Sequence, residues 1–398
     1  MSTVDYSFFA ARETNYLFTY MAFAKRIKRT IKKSALWKKC KPFVRELQIK
    51  SLEKKTFLAE AKECFKSNPE HGSLKDYMSA LNKYRVSYGE YMHRFAFWGL
   101  NESQREEFIS CSEMQCIYRK MVQPEVRSVF LKKNQFLRKF SMYTQRRWIE
   151  VRKATYEQFA QMVSQFDCVA KPFEGWWGKG IRVIKKTDDK AAIKRLYDEC
   201  MEDNLLLEER VQACKEIAVF HPSSLNTVRV VTISNPDKCF VFGAILRMGT
   251  GDSIIDNSHN GGIFASIDVE TGIIDTDGFD SEGNRFIEHP DSHIKIKGTQ
   301  IPYWDKVIEM CSDATKVMPN TIFVGWDVVI FDDGRVGLIE GNHAPDFDGG
   351  MQAPKKIGVK QKVRRVVSEL YGIDPLQFIR VFSRTMNGYR YFDNVTVD

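Results

Sequence analysis

Apolar and polar positions follow two different patterns along this chain. Residues 1 to about 120 are rich in helix formers and poor in strand signals, which predicts a helical region. Beyond it, short apolar runs alternate with amphipathic stretches and then give way to a block rich in strand signals. Strands are predicted at residues 147–151, 168–172, 181–184, 205–208, 228–233 and 239–246, and helices at 156–164, 188–203 and 359–371. This order predicts α+β layers rather than a sandwich or a helical bundle.

The most informative segment is a predicted hairpin with a tight Asp333-Gly334 turn. A two-residue turn there places Asp327 directly opposite Glu340 on one face, and a four-residue loop gives the same register. Opposed carboxylates repel each other unless a cation lies between them. Asn342 adds an oxygen on the same face, because alternate residues of a strand share a face. Oxygen ligands at this spacing suit Mg²⁺ or Mn²⁺; the alternative is a solvated acidic face.

A glycine-rich loop containing Gly175, Gly178 and Gly180 connects two further predicted strands. Glycines let backbone N–H groups approach phosphate oxygens closely. A strand follows this loop, which excludes the P-loop and the Rossmann turn because both require a helix there. A flexible loop without a ligand is the alternative. Lys171, on the strand before the loop, favours phosphate binding because a point cation suits a diphosphate.

Residues 205–211 are an apolar strand that runs into a charged link. A link of this kind between two lobes can read adenine through its backbone groups, with Glu208 near the exocyclic amine. The same pattern also fits an ordinary strand end, so by itself it predicts no ligand.

Composition and charge add a second candidate feature. The chain has 398 residues and a net charge of +9, and ten of its basic residues crowd into residues 23–45. Apolar Phe23, Ile27 and Ile31 recur in that segment at helical spacing. The segment is therefore predicted to form a basic amphipathic helix that binds an anionic membrane or an acidic polymer. A solvated helix face fits the same pattern.

Other sequence features indicate where in the cell the protein is expected to act. The nine cysteines include no Cys-x-x-Cys pair, which fits neither a disulfide framework nor a zinc cluster. The start of the chain lacks a signal-peptide pattern, and no apolar run approaches the roughly 20 residues that span a bilayer. We therefore expect a soluble cytoplasmic protein with no nucleic-acid partner, placed peripherally at the inner membrane face if the basic segment binds lipid.

Taken in order, these motifs resemble those of the ATP-grasp superfamily, and most closely its sugar-transfer-associated branch, over residues 129–353. Further segments that carry the resemblance are Lys133-Asn-Gln-Phe136, the stretch from Pro222 to Arg229, and Asp256-Asn257 with Gly261-Gly262. The resemblance implies an α+β ATP-grasp fold, in which two α+β lobes enclose the nucleotide, preceded by a helical N-terminal region. The expected boundaries are 1–125 for the helical region, 126–207 for the small lobe, 208–356 for the large lobe with the metal hairpin, and 357–398 for a C-terminal helix and tail.

The resemblance also implies roles for individual residues. Nucleotide binding is expected of Lys133, Lys171, Gly175, Gly178, Gly180, Glu208, Glu209, Val211 and, near the ribose, Glu216. The expected ligands of Mg²⁺ or Mn²⁺ are Asp327, Glu340 and Asn342, and the expected residues of the reacting centre are Arg229, Arg247 and Asn257. If residues 235–238 form a turn, Arg229 and Arg247 lie on opposite faces of a regular hairpin. They would then share a site only through a bulge or at a strand end.

The implied activity is that of an ATP-dependent, ADP-forming carboxylate–amine ligase that works through an acyl phosphate. Its substrates would be ATP, a small-molecule or glycan-linked carboxylate and an amine, in the assembly of a surface polysaccharide. Two alternatives stay open at this point. One is a kinase that phosphorylates a hydroxyl, and the other is a non-catalytic nucleotide-binding partner of a glycosyltransferase.

Overall fold

The computed structural model of the protein describes residues 62, 72–84, 86, 91–174, 180–256, 261–347 and 350–379. The basic segment 23–45 lies outside these ranges, and so do Gly175, Gly178 and Asn257 of the predicted site.

The described elements alternate between helices and strands after a helical start. The helices are α1 (Leu74–Tyr84), α2 (Glu102–Glu107), α3 (Cys111–Met121), α4 (Pro124–Leu131), α5 (Lys133–Lys139), α6 (Ser141–Thr144), α7 (Tyr156–Gln165), α8 (Lys190–Glu202), α9 (Lys215–Ala218), α10 (Trp304–Thr315) and α11 (Lys360–Tyr371), with a π-helical turn at Met92–Ala96. The strands are β1 (Trp148–Glu150), β2 (Cys168–Pro172), β3 (Arg182–Ile184), β4 (Leu205–Glu209), β5 (Thr227–Ser234), β6 (Cys239–Met248), β7 (Ile263–Ile267), β8 (Gly278–Phe279), β9 (Arg285–Phe286), β10 (Phe323–Ile330) and β11 (Val336–Asn342).

The smaller sheet has four antiparallel strands in the order β1-β4-β2-β3. One of its faces is apolar because Leu205, Leu207 and Ala170 alternate with outward residues, and this face packs with Phe159 of α7 and Ile193 of α8 in a separate core. The opposite face is left for the polar side chains of β2 and β4.

The larger sheet has seven strands in the order β11-β10-β5-β6-β7-β8-β9. All eight residues of β10 are buried, which accounts for the unbroken apolar run in its sequence. The described N-terminal helices share the core of this sheet: the Tyr118 ring meets the Phe323 ring edge-on with centroids 5.1 Å apart, and the Tyr118 hydroxyl donates to the Pro345 carbonyl at 2.6 Å. The predicted α+β class, with helices before the sheets, is confirmed. The predicted domain boundaries stay predictions.

The β10–β11 hairpin differs from its predicted form at the turn. The Phe331 N–H donates to the Arg335 carbonyl at 2.9 Å, so three residues form the turn, with Gly334 in its left-handed position at φ 76°. That register alone would place Asp327 opposite Ile339. The predicted two-residue and four-residue turns are both wrong, because the left-handed Gly334 ends a three-residue turn in which its N–H donates to the Phe331 carbonyl at 2.9 Å.

A bulge in β11, between the turn and the two carboxylates, shifts the strand pairing by one residue. Val328 pairs with Leu338 and Asp327 pairs with Glu340, which leaves Ile339 as an extra residue without a partner in β10. Since a one-residue slip turns every following side chain to the other face, the bulge is what brings Glu340 round to Asp327. The predicted opposition of Asp327 and Glu340 is therefore confirmed.

A second bulge lies in β6 and has the same effect on the arginines. Thr232 pairs with Val241 but Val231 pairs with Gly243, so Phe242 is the extra residue. Beyond it, Arg247 pairs with Thr227, which is two residues from Arg229 and on the same face. The Lys362 ammonium donates to the Phe242 carbonyl at 2.7 Å. The bulge that the sequence required for Arg229 and Arg247 to share a face is present.

Candidate functional site

A cleft lies between the polar face of the small sheet and the β10–β11 hairpin. Its polar lining includes Lys133, Lys171 and Glu208 on one side and Glu340 and Asn342 on the other. The structure thus brings the two predicted nucleotide lysines to the same cleft as two of the three predicted metal ligands.

Glu208 forms the centre of the charge cluster on the small-lobe side. Its Oε1 lies 2.6 Å from the Lys171 ammonium, and its Oε2 accepts from the Arg146 Nε at 2.6 Å. Burial raises the pKa of Glu208, but Arg146 and Lys171 lower it by more, so its pKa lies below the usual range. Two cations on one carboxylate leave this cluster with a net positive charge, which suits phosphate oxygens.

The placement of Glu208 differs from the one predicted for an adenine contact. Its carboxylate contacts Arg146 and Lys171, so it points to these two cations rather than to the end of the link. Glu209 follows with a carboxylate that accepts from the Arg147 N–H at 3.2 Å, and Val211 packs against the large core. The backbone of Glu209 to Val211 remains as the predicted contact for adenine.

Glu216 is not brought to the cleft. The Cys214 N–H donates to the Ile330 carbonyl and the Lys215 N–H donates to Asp332, which ties α9 to the turn end of the hairpin. Glu216 lies in the first turn of α9, where it is exposed, and it is not part of the cleft lining. This placement does not fit the predicted ribose contact.

Lys133 lies at the start of α5, where its own N–H donates to the Phe173 carbonyl at 2.9 Å. Burial lowers the pKa of the Lys133 ammonium, and Glu340 opposes that change. Lys133 therefore lies close enough to Glu340 of the hairpin and to Lys171 for both charges to act on its ammonium. Gly180, at the far end of the glycine loop, adopts a φ of 78° and approaches the Pro172 ring so closely that a Cβ would lie 3.0 Å from it.

The hairpin side of the site is built around Asp327, which is buried. Its carboxylate accepts from Arg229 Nε and from the Arg229 terminal nitrogen at 2.9 Å, and a terminal nitrogen of Arg247 lies 3.0 Å away. Burial raises the pKa of Asp327, but the two arginines lower it by more. Asp327 is therefore held ionised.

The segment that leads from β6 to the undescribed residues 257–260 is anchored at both ends. Asp256 accepts from the Thr227 N–H at 3.0 Å and lies 3.4 Å from Arg247, while the Thr250 hydroxyl donates to the Gly261 carbonyl at 2.7 Å. Burial raises the pKa of Asp256 by more than Arg247 and Thr227 lower it. The closing loop predicted around Asn257 thus begins at a residue that touches the arginine cluster.

The carboxylate and amide oxygens of the hairpin keep enough unused lone pairs to bind a hard divalent cation. A carboxylate has about four acceptor positions, and three contacts occupy those of Asp327, so one position is left. Within the described ranges, Glu340 makes no hydrogen bond or ion pair through its carboxylate, and Asn342 uses its amide oxygen once, for the Ala344 N–H at 3.0 Å. No group of three or more His, Cys, Asp or Glu side chains in those ranges could hold a metal, so any ion here depends on mixed carboxylate and amide ligands.

Sequence reasoning missed two cations that shape this site, Arg146 and Lys362. Both donate to backbone carbonyls at bulges, namely those of Leu338 and Ile339 for Arg146 and that of Phe242 for Lys362. Neither bulge can be read from side-chain periodicity, so nothing in the sequence marked these two among many basic residues.

Comparison with known proteins gives a family match. The family model described as sugar-transfer associated ATP-grasp matches residues 128–368 of the chain. No curated protein matches the chain significantly.

Solved structures of ATP-grasp enzymes also align with the chain. The ATP-grasp ligase PsnB complexed with a minimal precursor is 15% identical, covers 63% of this chain and 63% of its own, and has a TM-score of 0.38. The ADP complex of purK, an N5-carboxyaminoimidazole ribonucleotide synthetase, is 13% identical, covers 56% of this chain and 47% of its own, and has a TM-score of 0.35. D-alanine–D-alanine ligase from Bacillus anthracis complexed with ATP is 13% identical, covers 65% and 66%, and has a TM-score of 0.35. The chain thus spans between about half and two thirds of the length of these structures.

Proposed function

The chain belongs to the sugar-transfer associated ATP-grasp family, and from that premise we propose that it is an ATP-dependent, ADP-forming carboxylate–amine ligase. The observation that carries the proposal is the cleft itself. It has Lys133 and Lys171 on one side and an acidic hairpin with Glu340 on the other. A nucleoside triphosphate requires such positive charges for its phosphates, and its metal requires such negative ones.

In this proposal the chain's own residues position the nucleotide and balance its charge. Lys133 and Lys171 hold the α- and β-phosphates. Asp327, Glu340 and Asn342 would hold Mg²⁺ or Mn²⁺, which when bound offsets negative charge on the phosphate oxygens. The substrate carboxylate attacks the γ-phosphorus, the bond from that phosphorus to the β–γ bridging oxygen breaks with its electrons leaving on ADP, and an acyl phosphate forms.

The second half of the reaction uses the arginine cluster. An amine attacks the acyl carbon, the bond from that carbon to the phosphate oxygen breaks, and an amide, inorganic phosphate and a proton are released. Arg229 and Arg247 supply positive charge next to the oxyanion that develops on the acyl oxygen. Asn257 and the Gly261-Gly262 segment would exclude water from the acyl phosphate, which water would otherwise hydrolyse.

The family description associates the fold with sugar transfer, and we infer a substrate from the chemistry that such a setting offers. The carboxylate would belong to a sugar acid or to an amino acid, and the amine to an amino acid or amino sugar of a surface-polysaccharide precursor. This assignment makes the ligase one of the enzymes that decorate a glycan rather than one that polymerises it.

The proposal is tested by product analysis. Purified protein with ATP and Mg²⁺ is screened against pairs of acids and amines for release of ADP and phosphate, and the products are identified by mass spectrometry. We expect an amide together with ADP and phosphate, with no turnover when either the acid or the amine is left out. A phosphoester with ADP would assign a kinase instead, and ATP binding without turnover across the screen would favour a non-catalytic partner of a glycosyltransferase.

The basic segment 23–45 leads to a separate prediction about localisation. None of the helices in the described ranges is long and apolar enough to pass through a bilayer. We propose that the segment instead docks on an anionic surface, to which each basic residue contributes roughly 1 kcal/mol. The full chain should sediment with anionic liposomes at low salt and be released at high salt. A variant neutralised at Lys28, Arg29, Lys32 and Lys33 should stay in solution, and failure of the wild type to bind at low salt would rule out lipid.

A further inference from the structure

One buried guanidinium, that of Arg146, joins the two sheets behind the cleft. Its Nε donates to the Glu208 carboxylate at 2.6 Å, and its two terminal nitrogens donate to the Leu338 carbonyl at 2.6 Å and to the Ile339 carbonyl at 2.9 Å. The Arg146 side chain is only 2% exposed. A single side chain thus connects a carboxylate of the small sheet to the backbone of β11.

The two carbonyls are those of the β11 bulge. Ile339 is the residue without a partner in β10, and Leu338 is the last residue before it. Because β11 is the edge strand of its sheet and Ile339 lacks a partner in β10, buried carbonyls here that receive no donor from β10 need one from elsewhere, and Arg146 donates to those of Leu338 and Ile339. The bulge is also what turns Glu340 towards Asp327. Arg146 therefore stabilises the register in which Glu340 and Asn342 face the cleft.

The other end of the guanidinium acts on the nucleotide lysine. One carboxylate oxygen of Glu208 accepts a hydrogen bond from Arg146, and the other lies 2.6 Å from the Lys171 ammonium. The position of Lys171 therefore depends on how Arg146 holds Glu208. Arginine suits this arrangement because its planar group carries donors in a fixed fork, whereas lysine offers a point charge. Lysine at 146 would keep the charge next to Glu208 but could not reproduce the pair of carbonyl contacts.

We propose that Arg146 is a positioning residue that couples the metal-binding strand to the nucleotide lysine, so that Mg²⁺ and nucleotide strengthen each other's binding. This inference rests on the proposed function, because it assigns the metal to Glu340 and the phosphates to Lys171. Residues that orient metal ligands without touching the metal typically change metal affinity by about tenfold to a hundredfold when they are altered. The same range is expected here for the factor by which Mg²⁺ strengthens ADP binding.

The test uses the full chain and the variant Arg146→Lys. Calorimetry of ADP with and without Mg²⁺ should show a Mg²⁺ enhancement that is about tenfold or more smaller than in the wild type, with little change in ADP affinity without metal. Amide hydrogen exchange in the nucleotide-free protein should be faster in residues 336–343 because the bulge loses its donors. Wild-type exchange in that strand, or a wild-type Mg²⁺ enhancement, would overturn the proposal.

Arg152 offers a matched control. It also caps two carbonyls, donating to Met201 at 2.8 Å and to Glu202 at 3.0 Å, but it does so at the end of α8 and away from the cleft. Arg152→Lys should leave both readouts unchanged. If Arg152→Lys changed the Mg²⁺ enhancement and the amide exchange as much as Arg146→Lys does, the effect would be a general loss of stability, and the proposal would be overturned.

Two further outcomes are separated by the same experiments. If Arg146→Lys does not fold, the double variant Arg146→Met with Glu208→Gln removes the fork without leaving an unpaired carboxylate, and its exchange in residues 336–343 decides the matter in the same way. If wild-type protein binds no nucleotide, the proposed function fails. The effect of Arg146 on β11 is then still decided by exchange in the nucleotide-free protein, and the coupling is rejected together with the function.

Discussion

Glu340→Gln is expected to abolish ADP formation while leaving the protein folded. The substitution removes a carboxylate that makes no hydrogen bond or ion pair with the described residues, so no buried partner is left unpaired. Charge stabilisation by a catalytic metal is worth several kcal/mol, which corresponds to a loss of at least about a hundredfold in turnover. ADP release at saturating ATP and Mg²⁺ measures the loss, and thermal unfolding verifies the fold.

Asp327→Asn tests the same metal site less cleanly. Asp327 is ion-paired with Arg229 and Arg247, whose side chains are only 14% and 19% exposed. Removing one partner of a buried pair costs about 3–5 kcal/mol, because the other charge stays buried without compensation. This variant should therefore lose both stability and activity, whereas Glu340→Gln should lose activity alone.

A control for the metal prediction lies on the same hairpin. Among the described residues, Asp333 pairs only with its neighbour Arg335 at 2.7 Å, and its side chain is 55% exposed, so Asp333→Asn should keep wild-type turnover. Near-normal ADP formation by Glu340→Gln at ordinary Mg²⁺ would show that Glu340 is not a metal ligand.

Local sequence patterns predicted the fold because most of its elements are short, continuous and strongly patterned. The limits of β2, Cys168–Pro172, were predicted without error. The predicted β4 ended one residue too early, because the strand continues to Glu209. These strands are bounded by polar or turn residues that end the apolar run clearly. The family resemblance added the arrangement of the two lobes, which depends on contacts between residues far apart in sequence and has no local signature.

The register of the metal hairpin shows how a correct site can follow from a wrong turn. The Asp327–Glu340 pair was derived from a two-residue turn, whereas the chain reaches it through a three-residue turn and a bulge at Ile339. The two differences cancel. The three-residue turn alone would pair Asp327 with Ile339, and the extra residue of the bulge shifts the partner of Asp327 to Glu340. A bulge is stabilised by tertiary donors, here Arg146, so alternation within the strand cannot reveal it.

Lys171→Ala is expected to weaken ATP binding by about 1.5–3 kcal/mol, the range of a hydrogen bond to a charged group. This corresponds to roughly a tenfold to 150-fold higher dissociation constant. The physical reason is specific to the cluster around Glu208. With Lys171 and Arg146 present, the cluster is net positive, and without Lys171 the remaining pair of Arg146 and Glu208 is neutral. The phosphates then lose both a donor and the attraction of one charge.

Calorimetric titration with ATP measures the change, and two variants sharpen it. Lys171→Met keeps most of the side-chain volume in this buried position, where Lys171 is 8% exposed, so an equal loss in both variants assigns the effect to charge rather than to a cavity. Lys185→Ala removes an exposed lysine of the same lobe that pairs with Asp167 at 2.9 Å, and it should bind ATP as the wild type does. Unchanged ATP affinity in Lys171→Ala would mean that Lys171 neutralises Glu208 and does nothing for the nucleotide, and the phosphate contact would then have to be made by Lys133 alone.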